Sequence, residues 1–371
     1  MTTSKTASNV AAPTQFLQAG EHGYAYRRFG EGSALPLLFL QHFTGTLDNW
    51  DPAITDPLAS GREITLFDNA GVGRSTGPVP PTVAGMAKHA LAFLDGLGVA
   101  TCDVLGFSLG GMIAQQMAQD RPSIIRRMIL VGTAPRGGED IMLLEKPSLA
   151  KYLTDANLRG YALLQKIFFA PTESSQAAGA AFIERLAQRK EDRDPRSGPA
   201  VAGAQMAAFR DWEKFTGDRF ANLRDIRQPT LVVNGIHDEM IHVSNSYWLS
   251  QNLPNAVLLT YPDSGHGSLF QFSRVLCPAC DGISHIRLRL RTVLSSSRYR
   301  TSSASRLWGQ TSALVSSDHL TGTTSGFPFS TTYVASSAAL PLPTFFAEWI
   351  ARAGTNKTSP ALSVTGGLPS T

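Results

Sequence analysis

The sequence predicts an α/β fold in which a mostly parallel, doubly wound sheet carries a helical cap. Short apolar runs recur as strands, amphipathic helical patterns fall between them, and the alternation pauses once for a long helical stretch. Residues 14–30 (TQFLQAGEHGYAYRRFG) open the chain as two strands around a turn at Glu21-His22-Gly23. Strands follow at 35–41 (LPLLFLQ), 63–68 (EITLFD), 101–107 (TCDVLGF), 127–132 (RMILVG), 230–234 (TLVVN) and 256–261 (AVLLTY). These runs are apolar on both faces, as parallel strands covered by helices must be. Val83, Met86, Ala90, Phe93 and Leu97 form one face of a helix, and a second helix runs from just after Ser108 to about Asp120, before Arg121-Pro122.

The stretch 135–221 is mostly helical, with apolar-rich segments at 143–169 and 177–191. Inserted after a central strand, it reads as a cap over the strand ends. The core is then divided into 14–134 and 222–272, preceded by a flexible lead-in, 1–13.

Composition narrows the function. The chain has 371 residues, 43% of them hydrophobic, enough for a sizeable core. No apolar run is long enough to cross a membrane, and MTTSKTASNVAAPTQ has no hydrophobic signal core. The three cysteines, Cys102, Cys277 and Cys280, are too few for a disulfide scaffold, so a soluble cytoplasmic protein is expected. The net charge of +4 is concentrated between residues 273 and 342, where seven arginines face only Asp281 and Asp318. Neither nucleic acid nor a membrane is an expected partner; a small-molecule substrate is.

Gly106-Phe107-Ser108-Leu109-Gly110 carries the strongest chemical signal, a G-x-S-x-G lying between a strand and a helix. Glycines two residues either side make room for a nucleophile on a sharp turn, and the helix N-terminus favours developing negative charge. A serine hydroxyl needs a base. His266, between two glycines after the last clear strand, is the candidate; Asp238, after the preceding strand, is the acid that would orient it. Glu239 and Asp263 are the alternatives to Asp238. His237 and His242 read as structural, and His22, His89, His285 and His319 as solvated surface. The N–H groups of Leu109 and Phe43 are the expected oxyanion donors. Trp50 and Thr44 are candidates for substrate contacts, Trp50 being equally well explained by packing. The glycine-rich run 68–75 reads as a tight supporting turn rather than a phosphate loop. Cys277-Pro278-Ala279-Cys280 is a single C-x-x-C, so no metal is expected.

QHFTGTLDNW, FDNAGVGRS, GFSLGG, NGIHD and DSGHG, in that order across 14–272, resemble the α/β-hydrolase superfamily in its branch of capped esterases, haloperoxidase-like perhydrolases and carbon–carbon bond hydrolases. The resemblance implies a cofactor-free enzyme with Ser108, Asp238 and His266 as its triad. Ser108 argues against haloalkane dehalogenases and epoxide hydrolases, which carry Asp there. One departure is His42-Phe43, where many relatives have His-Gly.

After Phe272 the composition shifts to Ser, Thr, Arg and Leu without a sustained period. Residues 273–342 read as a low-complexity insertion, a translated intron being one origin, with the last core helix displaced to 343–354 and a tail at 355–371. The expected activity is hydrolysis of a small or medium ester, thioester or lactone through an acyl-enzyme. Carbon–carbon cleavage, cyclisation or perhydrolysis on the same triad, and ligand binding without turnover, are the alternatives.

Overall fold

In the computed structural model the described residues are 8–141, 151, 152, 154, 155 and 157–274, with three short strands beyond them. Strands β1 (Gln15–Ala19) and β2 (His22–Phe29) form the opening hairpin; its turn is Gly20-Glu21, one residue earlier than expected, because Ala19 pairs with His22. They are followed by β3 (Ala34–Leu40), β4 (Arg62–Phe67), β5 (Cys102–Phe107), β6 (Ile125–Val131), β7 (Thr230–Gly235) and β8 (Ala256–Tyr261). The sheet order is β1-β2-β4-β3-β5-β6-β7-β8, antiparallel at β1–β2 and β2–β4 and parallel from β4 to β8. At the C-terminal end, Ser312–Ala313 (β9) pairs with Gly322–Thr323 (β10), and Thr332–Val334 (β11) runs parallel beside β8. The segment expected as a final helix, 343–354, lies outside the described residues, as does most of 273–342.

Register explains why the central strands look apolar throughout. Phe39, Leu105, Ile129, Leu231 and Val257 stand in one row across five strands, and Leu40, Gly106, Leu130, Val232 and Leu258 in the next. The two rows face opposite sides. The first feeds a core beneath α1 (Pro52–Ala59), the second a core beneath α2 (Val83–Gly96) and α3 (Leu109–Asp120).

Between β6 and β7 lie α4 (Tyr161–Phe168), α5 (Glu173–Leu186) and α6 (Pro199–Trp212). The sequence pattern singles out no element at α6. Helices α7 (Ser244–Asn252) and α8 (Ser268–Gln271) complete the layers. No helix among the described residues is long and apolar enough to cross a membrane.

The start of the chain is not a loose lead-in where it is described. Ala12 is fully buried, Asn9 Nδ2 donates to the Trp50 carbonyl at 2.9 Å, and Arg189 donates to the carbonyls of Asn9, Val10 and Ala12. An arginine three residues past the end of α5 thus satisfies backbone that a composition rich in Ser, Thr and Ala leaves without regular structure.

Candidate active site

Ser108 occupies the single residue between β5 and α3, with φ 56° and ψ −118°. Such a conformation costs a non-glycine residue about 1–3 kcal/mol and persists only when its surroundings dictate it. Here they do. The Ser108 N–H donates to the Val131 carbonyl at 2.8 Å, and its own carbonyl accepts from Thr133 Oγ1 at 2.7 Å and Gly111 N at 2.9 Å. A Cβ on Gly106 would run into the backbone of Gly110 and Gly111, and one on Gly110 into the Leu40 carbonyl. Both glycines are required by close approach. Leu109 opens α3, so its N–H has no partner within the helix.

His266 and Asp238 lie past the ends of β8 and β7. The His266 Nδ1 to Asp238 Oδ2 distance is 2.8 Å, with both side chains buried. Asp238 Oδ1 accepts from the N–H groups of Met240 and Ile241 at 2.8 and 2.9 Å, so the carboxylate is held from both ends. Neither alternative acid is so placed. Glu239 is exposed, and Asp263 accepts hydroxyl bonds from Thr172 and Ser174 at 2.6 and 2.5 Å at the start of α5. His266 Nε2 is buried, makes no hydrogen bond to Ser108 Oγ, and has no partner among the described residues. The His266 ring lies 4.9 Å from that of Phe107, next to Ser108.

The loop after β3 is rigid on both sides of Phe43. His42 N donates to Gln41 Oε1 at 2.9 Å, and Thr44 N to Gln205 Oε1 at 2.6 Å. Thr44 takes φ 59°, and the Phe43 ring leans on Phe209 at 5.8 Å. Complete burial, opposed by the Nδ1 bond to the Phe43 carbonyl, pushes the His42 pKa down to about 3. The imidazole is therefore neutral, with Nδ1–H donating.

Phe168, from the end of α4, closes over this group. Its ring lies 5.1 Å from His42, 5.4 Å from Phe107 and 5.5 Å from His266, and its carbonyl accepts from Gly267 N at 2.7 Å. Phe168, Gln205 and Phe209 carry no signal in the sequence beyond helix-compatible spacing. Trp50, in contrast, is buried with its ring on Phe39 at 4.8 Å; its environment is core packing. His22 and His89 are not solvated surface either. They stack edge-on at 4.5 Å, and His89 Nδ1 lies 2.7 Å from the Tyr24 hydroxyl. His237 is exposed, and His242 bonds Ser244 at the start of α7. Residues 68–75 form a turn in which Asp68 Oδ1 accepts from Leu47 N and Ser75 Oγ donates to the Asp68 carbonyl. Among the described residues no group of three or more His, Cys, Asp or Glu gathers as metal ligands; Cys277 and Cys280 lie outside them.

Residues 36–273 match the family model of the alpha/beta hydrolase fold. The chain belongs to the α/β-hydrolase family. An alpha/beta hydrolase fold protein from Chitinophaga pinensis is 41% identical, with a TM-score of 0.70 over 75% of this chain and 99% of that one. A poly(3-hydroxyalkanoate) depolymerase from Ectopseudomonas oleovorans is 30% identical over 68% of this α/β-hydrolase and 84% of its own length. A hydrolase from Pseudomonas aeruginosa PA01 is 26% identical, with a TM-score of 0.55 over 72% of this chain and 96% of that one.

Proposed function

We propose that this α/β-hydrolase is a serine hydrolase that cleaves a small or medium ester, thioester or lactone through an acyl-enzyme. The observation that carries the reading is Ser108 held at φ 56° on a strand-to-helix turn, with a histidine whose other nitrogen is already bound to a buried carboxylate lying against its neighbour Phe107. Ser108 Oγ attacks the carbonyl as His266 Nε2 takes its proton, and Asp238 stabilises the imidazolium. The N–H groups of Leu109 and Phe43 receive the oxyanion. His266 then protonates the leaving group, and water releases the acid. Helices α4 to α6 act as the cap, with Phe168 excluding water from the imidazole. Thr44 contributes by fixing the donor loop. The relative named as a poly(3-hydroxyalkanoate) depolymerase adds weight to an ester substrate.

A fluorophosphonate probe tests the reading directly. The purified protein should give an adduct that mass spectrometry maps to Ser108, and Ser108→Ala should give none. A folded protein that does not label would sink the activated serine and favour a ligand-binding role.

A further inference from the structure

Gln205 is a fully buried amide on α6, two turns before the helix ends. Its orientation is not arbitrary. The Thr44 N–H can only donate, so the atom 2.6 Å from it is the carbonyl oxygen, Oε1. Nε2 is the remaining end, and it is buried with no hydrogen-bond partner among the described residues. A buried donor left without a partner forfeits its hydration for nothing, so such a group calls for an acceptor.

The position of α6 shows where that acceptor would be. At its far end, Trp212 Nε1 donates to the Ala134 carbonyl at 3.1 Å, just beyond β6, and Arg136 stacks on the Trp212 ring at 4.6 Å. At Gln205 the helix is tied to the loop after β3. In the sheet, β5 lies between β3 and β6. Seven helical residues span about 10 Å, and two strand spacings are also about 10 Å. The helix therefore bridges the end of β5, where Ser108 stands, with Gln205 on the β3 side.

We propose that Gln205 Nε2 is a substrate-binding donor contributed by the cap, which selects acyl groups bearing a second oxygen on the β carbon, two carbons beyond the scissile carbonyl, as in 3-oxoacyl or 3-hydroxyacyl esters. This rests on the serine-hydrolase reading. The side of the site decides between acyl and leaving group. His266 arrives from beyond β8 and must protonate the leaving group, so that group lies toward β6 and β7. The oxyanion lies toward the loop after β3. Gln205 hangs on that loop, beside the backbone expected to hold the oxyanion, and so meets the acyl portion. A β-oxygen can lie alongside the oxyanion, with one carbon between the two oxygen-bearing carbons.

The test compares kcat/KM for ethyl 3-oxobutanoate and ethyl butanoate, in the wild type and in Gln205→Leu, with fluorophosphonate labelling run alongside. The wild type should favour the 3-oxo ester by at least about tenfold, as expected for one buried hydrogen bond. Gln205→Leu should lower that preference to near unity. Loss of the Thr44 contact disturbs both esters alike and cancels in the ratio, so a purely structural role would leave the preference unchanged and overturn the proposal. Equal kcat/KM values in the wild type would overturn it even if the variant fails to fold. Turnover of neither ester by protein that labels at Ser108 would also overturn it. Absence of labelling would instead defeat the serine-hydrolase reading beneath it.

Discussion

At the scale of single residues, geometry makes Asp238 and His42 the most informative positions. Asp238→Asn can keep its Oδ1 contacts to Met240 and Ile241 while presenting an amide to His266 Nδ1, which favours the wrong tautomer. Turnover should fall about 10³–10⁴-fold with little change in KM or fold, measured by steady-state kinetics on an ester. His42 tests linkage. A histidine whose folded pKa is lowered to about 3 from 6.5 favours the neutral folded state. Its contribution is complete above pH 6.5 and is lost as pH falls toward 3, amounting to roughly 4–5 kcal/mol across the window. Urea unfolding at pH 7 and pH 4 should show a steeper loss for the wild type than for His42→Gln. Parallel losses would mean that the imidazole is not buried neutral. The proposed serine, base and acid are legible in the linear sequence, because the elbow spacing and the strand-end positions of Asp238 and His266 are local features. The fold adds a physical reason to prefer Asp238 over Asp263, which accepts from Thr172 and Ser174.

At the scale of elements, the helices between β6 and β7 matter through two contacts with the site. Phe168 fills the space among Phe107, Phe182, Phe270 and the two histidine rings. Phe168→Ala should destabilise the protein by about 3–5 kcal/mol in chemical denaturation, because these rigid rings cannot collapse into the void. A loss below about 1 kcal/mol would show that the aromatic group repacks. The helical character of this stretch is readable from its spacing. Its aim is not: Gln205, Phe209 and Trp212 all fit an ordinary amphipathic helix.

At the scale of the whole molecule, charges join the β6–β7 helices to the sheet domain. Arg185, at the end of α5, makes a bidentate pair with Asp51 at 2.8 and 2.7 Å, and Asp51 is completely buried. Arg185→Met would remove both guanidinium bonds from that carboxylate and leave its cap bond to Ala53 N. A loss of about 3–5 kcal/mol is expected in urea unfolding, largely recovered in the double variant Arg185→Met/Asp51→Asn. A second tie runs through fully buried Arg27, which meets Asp48 at 2.8 Å, while Asp48 also accepts from the Asp194 backbone. In each pair the two partners are far apart in sequence, so no periodicity announces them.

The sequence alone determined the strand–helix alternation, the turn that presents Ser108, and the order of the three residues proposed for the chemistry. Each depends on spacing within a few residues or on the chain's progress from strand to strand. The tertiary structure alone decided which buried groups meet: Gln205 with Thr44, Arg185 with Asp51, and Trp50 with Phe39. Side-chain pairing across long loops is set by how the layers dock, and a linear pattern of apolar and polar residues carries almost no record of that docking.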